Sequence, residues 1–420
     1  MIIPRKHVVG NSRRRYRAVV QQLLSAHQLL VGPRGQRFSP GALLIDDDRI
    51  TAVGTVAEVE QRAAPDAHRL DHPQATILPG LVNGHVHLGF DSGADPAAAL
   101  RASTDEELLA AMGQRARLHL AAGVTTIRDL GDRDGLITEL RRSVERGEVA
   151  GPRIRAACAP LTPPGGHCSF LGGEVSGAEQ IRSRVRDNAR RGADVIKVMA
   201  NGGQTSPDGP RMTDAQFTPH ELSLIVEQAH ALGLPVAVHA YTSEVIAAAV
   251  EVGVDTVEHC TFMGPDGAVD LRDSVAATMA ARDIAASPAL PSQWRAMWDK
   301  LGPERSQRIA ERLRWLRDHG VPLLFGSDAG VPVSHHGDPV STLELYEHIG
   351  VPPERILELA TTASARGLGL AAETGALRPG LAADVVVVDG DPLVDLQKLR
   401  EPALVLSAGR AFPDGRPSPL

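Results

Sequence analysis

Little in this 420-residue chain suits a membrane, a disulfide scaffold or a polyanion. No apolar run approaches the roughly 18 uninterrupted residues that a spanning helix needs, so no membrane partner is expected. Cysteine is scarce. Cys158, Cys168 and Cys260 are odd in number and follow no CxxC or disulfide-type spacing, which fits a reducing, cytoplasmic setting and small buried thiols. Positive charge is not in excess either. The formal net charge of -7 offers no electrostatic reason to expect nucleic acid, and a small-molecule substrate is the expected partner, with a homo-oligomer left open. No Gly-rich phosphate fingerprint follows the first buried strand, which disfavours an open doubly wound sheet.

What is present, 43% hydrophobic and 23% charged residues, reads as a globular chain with one large core and a second, smaller one. Residues 1–20 are basic through Arg5, Lys6, Arg13, Arg14, Arg15 and Arg17. A twin-arginine export signal would need an apolar stretch next. Residues 18–27 carry Gln21, Gln22 and His27 instead, so the reading is a solvated extension, disordered over 1–20. From Gln28 short strands follow at 29–31, 41–45 and 49–53, too thin a sheet to stand alone. Their completion is expected at the far end, where a turn at 375–380 precedes strands at 383–388 and 403–410. These ends, 21–76 plus 376–415, should form a small β-sandwich domain beside a catalytic unit of 77–375.

Within that unit, strand-like runs alternate with helical ones. Strands are expected at 82–88, 124–130, 154–160, 195–200, 235–241, 256–260, 283–290 and 322–328, and helices at 105–122, 136–148, 178–191, 219–232, 243–252, 275–282, 304–319 and 344–350. Eight such units argue for an α/β fold, a TIM-like (β/α)8 barrel with its active site at the strand C-termini.

The chain is organised around 77–90, ILPGLVNGHVHLGF, an apolar run ending in His85-Val86-His87. Residues two apart on a strand share a face, so the two imidazoles could offer one divalent metal two nitrogen ligands. HxH alone also reads as a polar strand end. Other strand ends carry further ionisable residues: Lys197, His239, His259 and Asp328, each interrupting or closing an apolar run. Taken singly they have plainer readings. Lys197 could be a core lysine paired with Asp129 or Glu258, and His239 or His259 a hydrogen-bonded core histidine. Six together on the same ends of five strands point to a metal centre.

The order HxH, Lys, His, His, Asp, with a closing strand pair that begins GALRPGLAADVVVVDGDP, resembles the amidohydrolase superfamily of metal-dependent hydrolases. GVTTIRDLG (123–131), PPGGH (163–167), VIKVMANGG (195–203), VHAYTSEVIAAAVEVGVDTVEH (238–259) and GSDAGVPVSHHGD (326–338) are similar to its prolidase-like metallocarboxypeptidase branch, with imidazolonepropionase a more distant relation. The resemblance implies one metal on His85, His87 and Asp328, a second on His239 and His259, and a CO2-derived carbamate on Lys197 bridging them. Such a donor set suits two Zn2+ ions. Tyr241 stands where many relatives show histidine, and Cys168 where a small residue is common.

The function so implied is hydrolysis of an amide C–N bond in a small N-acyl or peptidyl amino acid by a metal-bridging hydroxide, with Asp328 as proton shuttle. Cleavage of a cyclic amide, carbamate or ester, or a catalytically silent metal-binding barrel, are the other readings. Tyr241 could assist an oxyanion or cap the barrel rim. His167, after strand three, could line the pocket or face solvent. Arg128 reads as a scaffold salt bridge before a substrate clamp, and of His335 and His336 the latter orders the loop after strand eight.

Overall fold

One long strand ties the two ends of the chain together. In the computed structural model, which describes residues 21–205 and 209–412, the strands in chain order are β1 (Gln21–Leu30), β2 (Arg37–Phe38), β3 (Gly41–Asp46), β4 (Arg49–Thr55), β5 (His68–Pro79), β6 (Leu81–Val86), β7 (Val124–Asp129), β8 (Arg153–Ala156), β9 (Ile196–Met199), β10 (Val236–Thr242), β11 (Thr256–Met263), β12 (Ala285–Ser287), β13 (Val385–Asp389), β14 (Pro402–Ser407) and β15 (Arg410–Ala411). β5 runs parallel to β1 on one side and antiparallel to β13 on the other. An eight-stranded sheet results, ordered β15-β14-β13-β5-β1-β3-β4 with β2 paired to β1. Leu24, Leu43 and Ile77 from one end of the chain share a buried apolar cluster with Val385, Val387 and Leu406 from the other, a core that neither half could close alone.

Two expectations are refined here. The first strand, expected at 29–31, begins at Gln21, and residues 21–27 are the first part of β1, paired with β3, with Leu23, Leu24 and Ala26 buried. The glutamines that suggested solvent are satisfied inside the sheet: Gln21 Nε2 donates to Asp46 Oδ1 (2.8 Å) and Gln22 Nε2 to the Gly409 carbonyl (3.1 Å). The expected sandwich is, in its hydrogen bonding, one continuous sheet. The polar stretch at the start of β5 hid the strand that joins its halves. The extension over 1–20 and the last residues of the 376–415 segment lie outside the described residues.

Gly80 passes the chain from this sheet to the next. A Cβ there would lie 2.0 Å from Thr125 Oγ1, so only glycine lets β5 lead into β6 so close to β7. β6, β7 and β8 form one parallel sheet, and β9 to β12 a second. Isolated parallel bridges extend the pattern: Leu161 to Val198 between the two sheets, Ala286 to Leu323 beyond β12, and Val86 to Ala329 beside β6.

Two expected strands are less regular than their apolar pattern. The third stops at Ala156, shortly before Cys158 takes a left-handed φ of 59°. Residues 322–328 form no regular strand. A Cβ on Gly326 would lie 2.8 Å from His85 Cβ, and Asp328 has φ 55°, so the segment passes β6 closely and then leaves extended geometry. It still bonds along β6, through Gly84 N to Phe325 O (2.7 Å) and Asp328 N to His85 O (2.9 Å).

Helices Asp105–Ala121, Ile137–Glu145, Gly177–Arg191, Pro219–His230, Ser243–Val252, Asp273–Ala281, Pro303–Asp318 and Pro339–His348 occupy the expected places between strands. Two of their starts are written locally: Thr104 with Glu107 and Thr218 with Glu221 form capping boxes, each satisfying otherwise orphaned N–H groups. Helices Pro96–Ala102, Trp294–Leu301 and Pro353–Glu358 were not expected.

The pairing of the chain ends is testable. Leu406→Ala removes a fully buried side chain from the shared core and should cost about 2–5 kcal/mol in a urea melt. Deleting everything after Gly375 should leave an insoluble chain, whereas a soluble truncation with an unchanged melt would contradict the shared core.

Candidate metal centre

Strand ends bring the polar residues together. β6 carries His85 and leads directly into His87, β9 carries Lys197, β10 His239 and Tyr241, and β11 His259. Asp328 arrives on the irregular segment beside β6, and His167 on the loop after β8. All eight line one cavity, together with Phe90, Cys168, Met199, Thr205 and Val331. Asp328 Oδ1 lies 3.3 Å from His85 Nε2 and 3.4 Å from His87 Nε2. The His239 ring centroid is 4.6 Å from that of His259 and 4.8 Å from that of His167, while His85 is 5.3 Å from both His87 and His259. His85, His87 and Asp328 present ligand atoms within 4.8 Å of one another and could hold a metal ion.

Buried partners orient these rings. The Nδ1–H of His85 donates to Glu258 Oε2 (2.8 Å). Arg128 donates from Nη2 to Glu258 Oε1 (2.7 Å), from Nη1 to Thr256 Oγ1 (3.1 Å) and from Nε to the Gly84 carbonyl (2.7 Å). Thr256 Oγ1 in turn donates to Glu258 Oε1 (2.6 Å). His239 Nε2 donates to the Gly202 carbonyl (3.1 Å). Asn201 Oδ1 accepts from the N–H groups of Tyr241 (2.8 Å) and Thr242 (3.2 Å), holding the end of β10. His259 and Cys260 take φ of 63° and 49° next to a register shift between β10 and β11, left-handed backbone that surrounding structure must enforce.

Electrostatics leave His167, His239, His259 and Asp328 in the states a cation needs, whereas His85 is drawn the other way by the carboxylates beside it. Burial pushes the His259 imidazole down to about 3 and that of His167 to about 4. It also drives His239 well below its ordinary value, helped by neighbouring His259. Burial alone would raise Asp328, but His85 and His87 beside it hold its carboxyl well below the usual range. Glu258 is likewise lowered, Arg128 and His85 outweighing burial. For His85 burial is opposed by Asp328 and Glu258, and the balance raises it.

Lys197 is completely buried, and among the described residues its Nζ has no hydrogen-bond partner. The plainer reading, a core lysine paired with Asp129 or Glu258, is not what forms. Glu258 is engaged by Arg128 and His85, and Asp129 accepts from the N–H groups of Leu88 (2.7 Å) and Gly131 (3.1 Å). Burial pushes the Lys197 ammonium down to about 8 against the pull of Glu258. An orphaned amine among imidazoles and a carboxylate is costly as an ammonium, and the imidazole and carboxylate donors beside it fit a divalent metal ion.

The remaining candidates divide. His167 does not face solvent: it is buried, its Nδ1 unpartnered, and its ring packs where a Cβ on Gly203 would lie 2.4 Å away. Arg128 is the scaffold salt bridge that was expected. The Nε2–H of His336 donates to the Phe90 carbonyl (2.8 Å), and its Nδ1 faces His119 Nε2 (3.1 Å), outside the cavity lining. His335 meets Gln293 instead (2.8 Å). Sequence reasoning missed Glu258 as a support for His85, and missed Phe90, Met199 and Thr205 as cavity wall. No periodicity or spacing marks them.

Residues 76–411 match the amidohydrolase family. Ochratoxinase of Aspergillus niger is 28% identical over 90% of this chain and 83% of its own, and imidazolonepropionase of Paracoccus denitrificans 28% identical over 83% and 88% respectively. The crystal structure of a Xaa-Pro dipeptidase with methionine bound in its active site superposes with a TM-score of 0.80 at 27% identity, covering 93% of this chain and 99% of that one. Such neighbours imply a TIM-like barrel with a second domain. The chain belongs to the amidohydrolase family, in its prolidase-like branch.

Proposed function

We propose that this protein hydrolyses the amide C–N bond of a small N-acyl or peptidyl amino acid at a centre of two divalent metal ions, with zinc the ion its donors suit best. Family membership makes it a hydrolase acting on C–N bonds. The finer reading is carried by one observation, the buried Lys197 Nζ, without a hydrogen-bond partner among the described residues, among five histidines and Asp328. A neutral amine there can add to CO2, forming an N–C bond and releasing a proton. The cation becomes a carbamate anion that can face two metals. His85, His87 and Asp328 would hold one ion, and His239 and His259 the other. The unit 77–375 would be a closed (β/α)8 barrel, supported by the bridges of residues 323 and 329 to β12 and β6, with 21–76 and 376–415 as its companion domain. No described helix is long and apolar enough to cross a membrane, and the buried free cysteines suit a cytoplasmic enzyme of small molecules.

When bound, the ions supply hydroxide at neutral pH and polarise the scissile carbonyl. Asp328, kept ionised by His85 and His87, takes the proton of the attacking water and returns it to the amide nitrogen as the C–N bond breaks. Tyr241, its ring stacked on His259 at 4.9 Å, keeps its phenolic proton because burial raises it, and can donate to the oxyanion or to a substrate carboxylate. Neutral His167, its ring 4.8 Å from that of His239, is a further donor.

A screen of N-acyl amino acids and dipeptides against the zinc-loaded protein tests the substrate class, and complete inactivity with full metal content would refute it. Lys197→Ala should strip most of the metal from about two equivalents per chain, with partial rescue of activity by bicarbonate and a short carboxylic acid. Full occupancy and unchanged turnover would exclude the carbamate.

Asp328→Asn should lower kcat by about 10²–10⁴-fold, typical of a lost general acid–base group, with metal content reduced only in part. Tyr241→Phe should lower kcat/KM while both ions stay bound. Kinetics beside elemental analysis of each variant check this. Near-normal turnover in the first variant, or metal loss in the second, would reverse the assignment.

A further inference from the structure

We infer that Glu258 is a positioning residue that makes the two halves of the metal site unequal, so that the ion on His85, His87 and Asp328 is held tightly and the ion on His239 and His259 is the labile one. The inference rests on the two-metal reading above.

Glu258 does not line the cavity, yet it is completely buried directly behind His85. Glu258 can only accept, so Nδ1 of His85 carries a proton at 2.8 Å from it, and an ion held between Nε2 and Asp328 Oδ1, 3.3 Å apart, would take the lone pair of Nε2. The carboxylate is itself locked by Arg128 Nη2 (2.7 Å) and Thr256 Oγ1 (2.6 Å), both on buried side chains. It can neither rotate away nor be replaced by water. An anionic acceptor on the far nitrogen of a ligating imidazole fixes its tautomer and raises its basicity, and losing such a partner costs about 10–100-fold in metal affinity.

The other half of the site has no such support. His239 donates to a backbone carbonyl, Gly202 O, at 3.1 Å, and His259 stacks on the Tyr241 ring. Within the first half, His87 has only a long contact, 3.5 Å, to the Gly131 carbonyl, so the support there comes through His85 and Asp328. Two fixed carboxylates, Asp328 and Glu258, therefore serve one ion, and none of the groups named here adds a carboxylate to the other. Coulomb attraction and imidazole basicity favour the same half.

The full-length zinc-loaded protein, dialysed against a rising series of chelator and followed by elemental analysis, should lose its metal in two separated steps. In Glu258→Gln the second step should move to about 10–100-fold weaker chelation while the first stays in place, with a thermal melt checking that the variant is folded. A measurement on the unaltered protein stands beside it. Long-range 15N–1H correlation spectra of the zinc-loaded enzyme should show His85 protonated at Nδ1 and metallated at Nε2. Simultaneous loss of both ions, an equal shift of both steps in a folded Glu258→Gln, or His85 metallated at Nδ1 would overturn the inference with the two-metal centre intact. A wild-type protein that binds no metal overturns both readings.

Discussion

Everything in this structure answers to the cost of burying charge. Lys197, Glu258 and Arg128 are buried and Asp328 is largely so, where an unpaired charge would cost several kcal/mol. Arg128 and Glu258 answer it by pairing with each other, with Thr256 and with His85. Asp328 answers it through two imidazoles. Lys197 alone has no protein partner among the described residues, and that imbalance is what the proposed metal centre would resolve.

The scaffold exists to hold those groups at short range. Gly80 and Gly326 let backbone pass where a side chain would collide, the first delivering β6 from the chain-end sheet and the second bringing the Asp328 segment against His85. His259 and Asp328 both depart from strand geometry at positive φ, and each does so at the point where its side chain joins the cavity. Local strain of this kind persists only where packing over-determines it. Here the packing comes from apolar clusters on the helix-covered faces of the two parallel sheets.

Much of this was legible in the sequence. Alternating apolar runs marked most strands to within a few residues, and HxH, Lys197, His239, His259 and Asp328 stood out because each breaks such a run. What failed to show did so for identifiable reasons. β5 begins in polar residues and owes its strand state to neighbours on both sides, β1 and β13. Residues 322–328 carry a strand's apolar pattern, but Gly326 and the left-handed Asp328 spoil the ladder. Glu258 is invisible because its importance depends on which residues face it, a matter of long-range contact.

Residue chemistry and chain order were enough to establish the alternating strand–helix plan and the family, and to single out six residues that the fold brings to one cavity, because periodicity and residue type are local properties. Only the folded chain decided that Glu258 goes to Arg128 and His85 and not to Lys197, that His167 is buried, and that both chain ends join one sheet through β5. Those outcomes depend on distances between residues far apart in sequence, such as the 2.8 Å from His85 to Glu258, and the competition among several partners for one buried carboxylate is resolved only when all of them are in place.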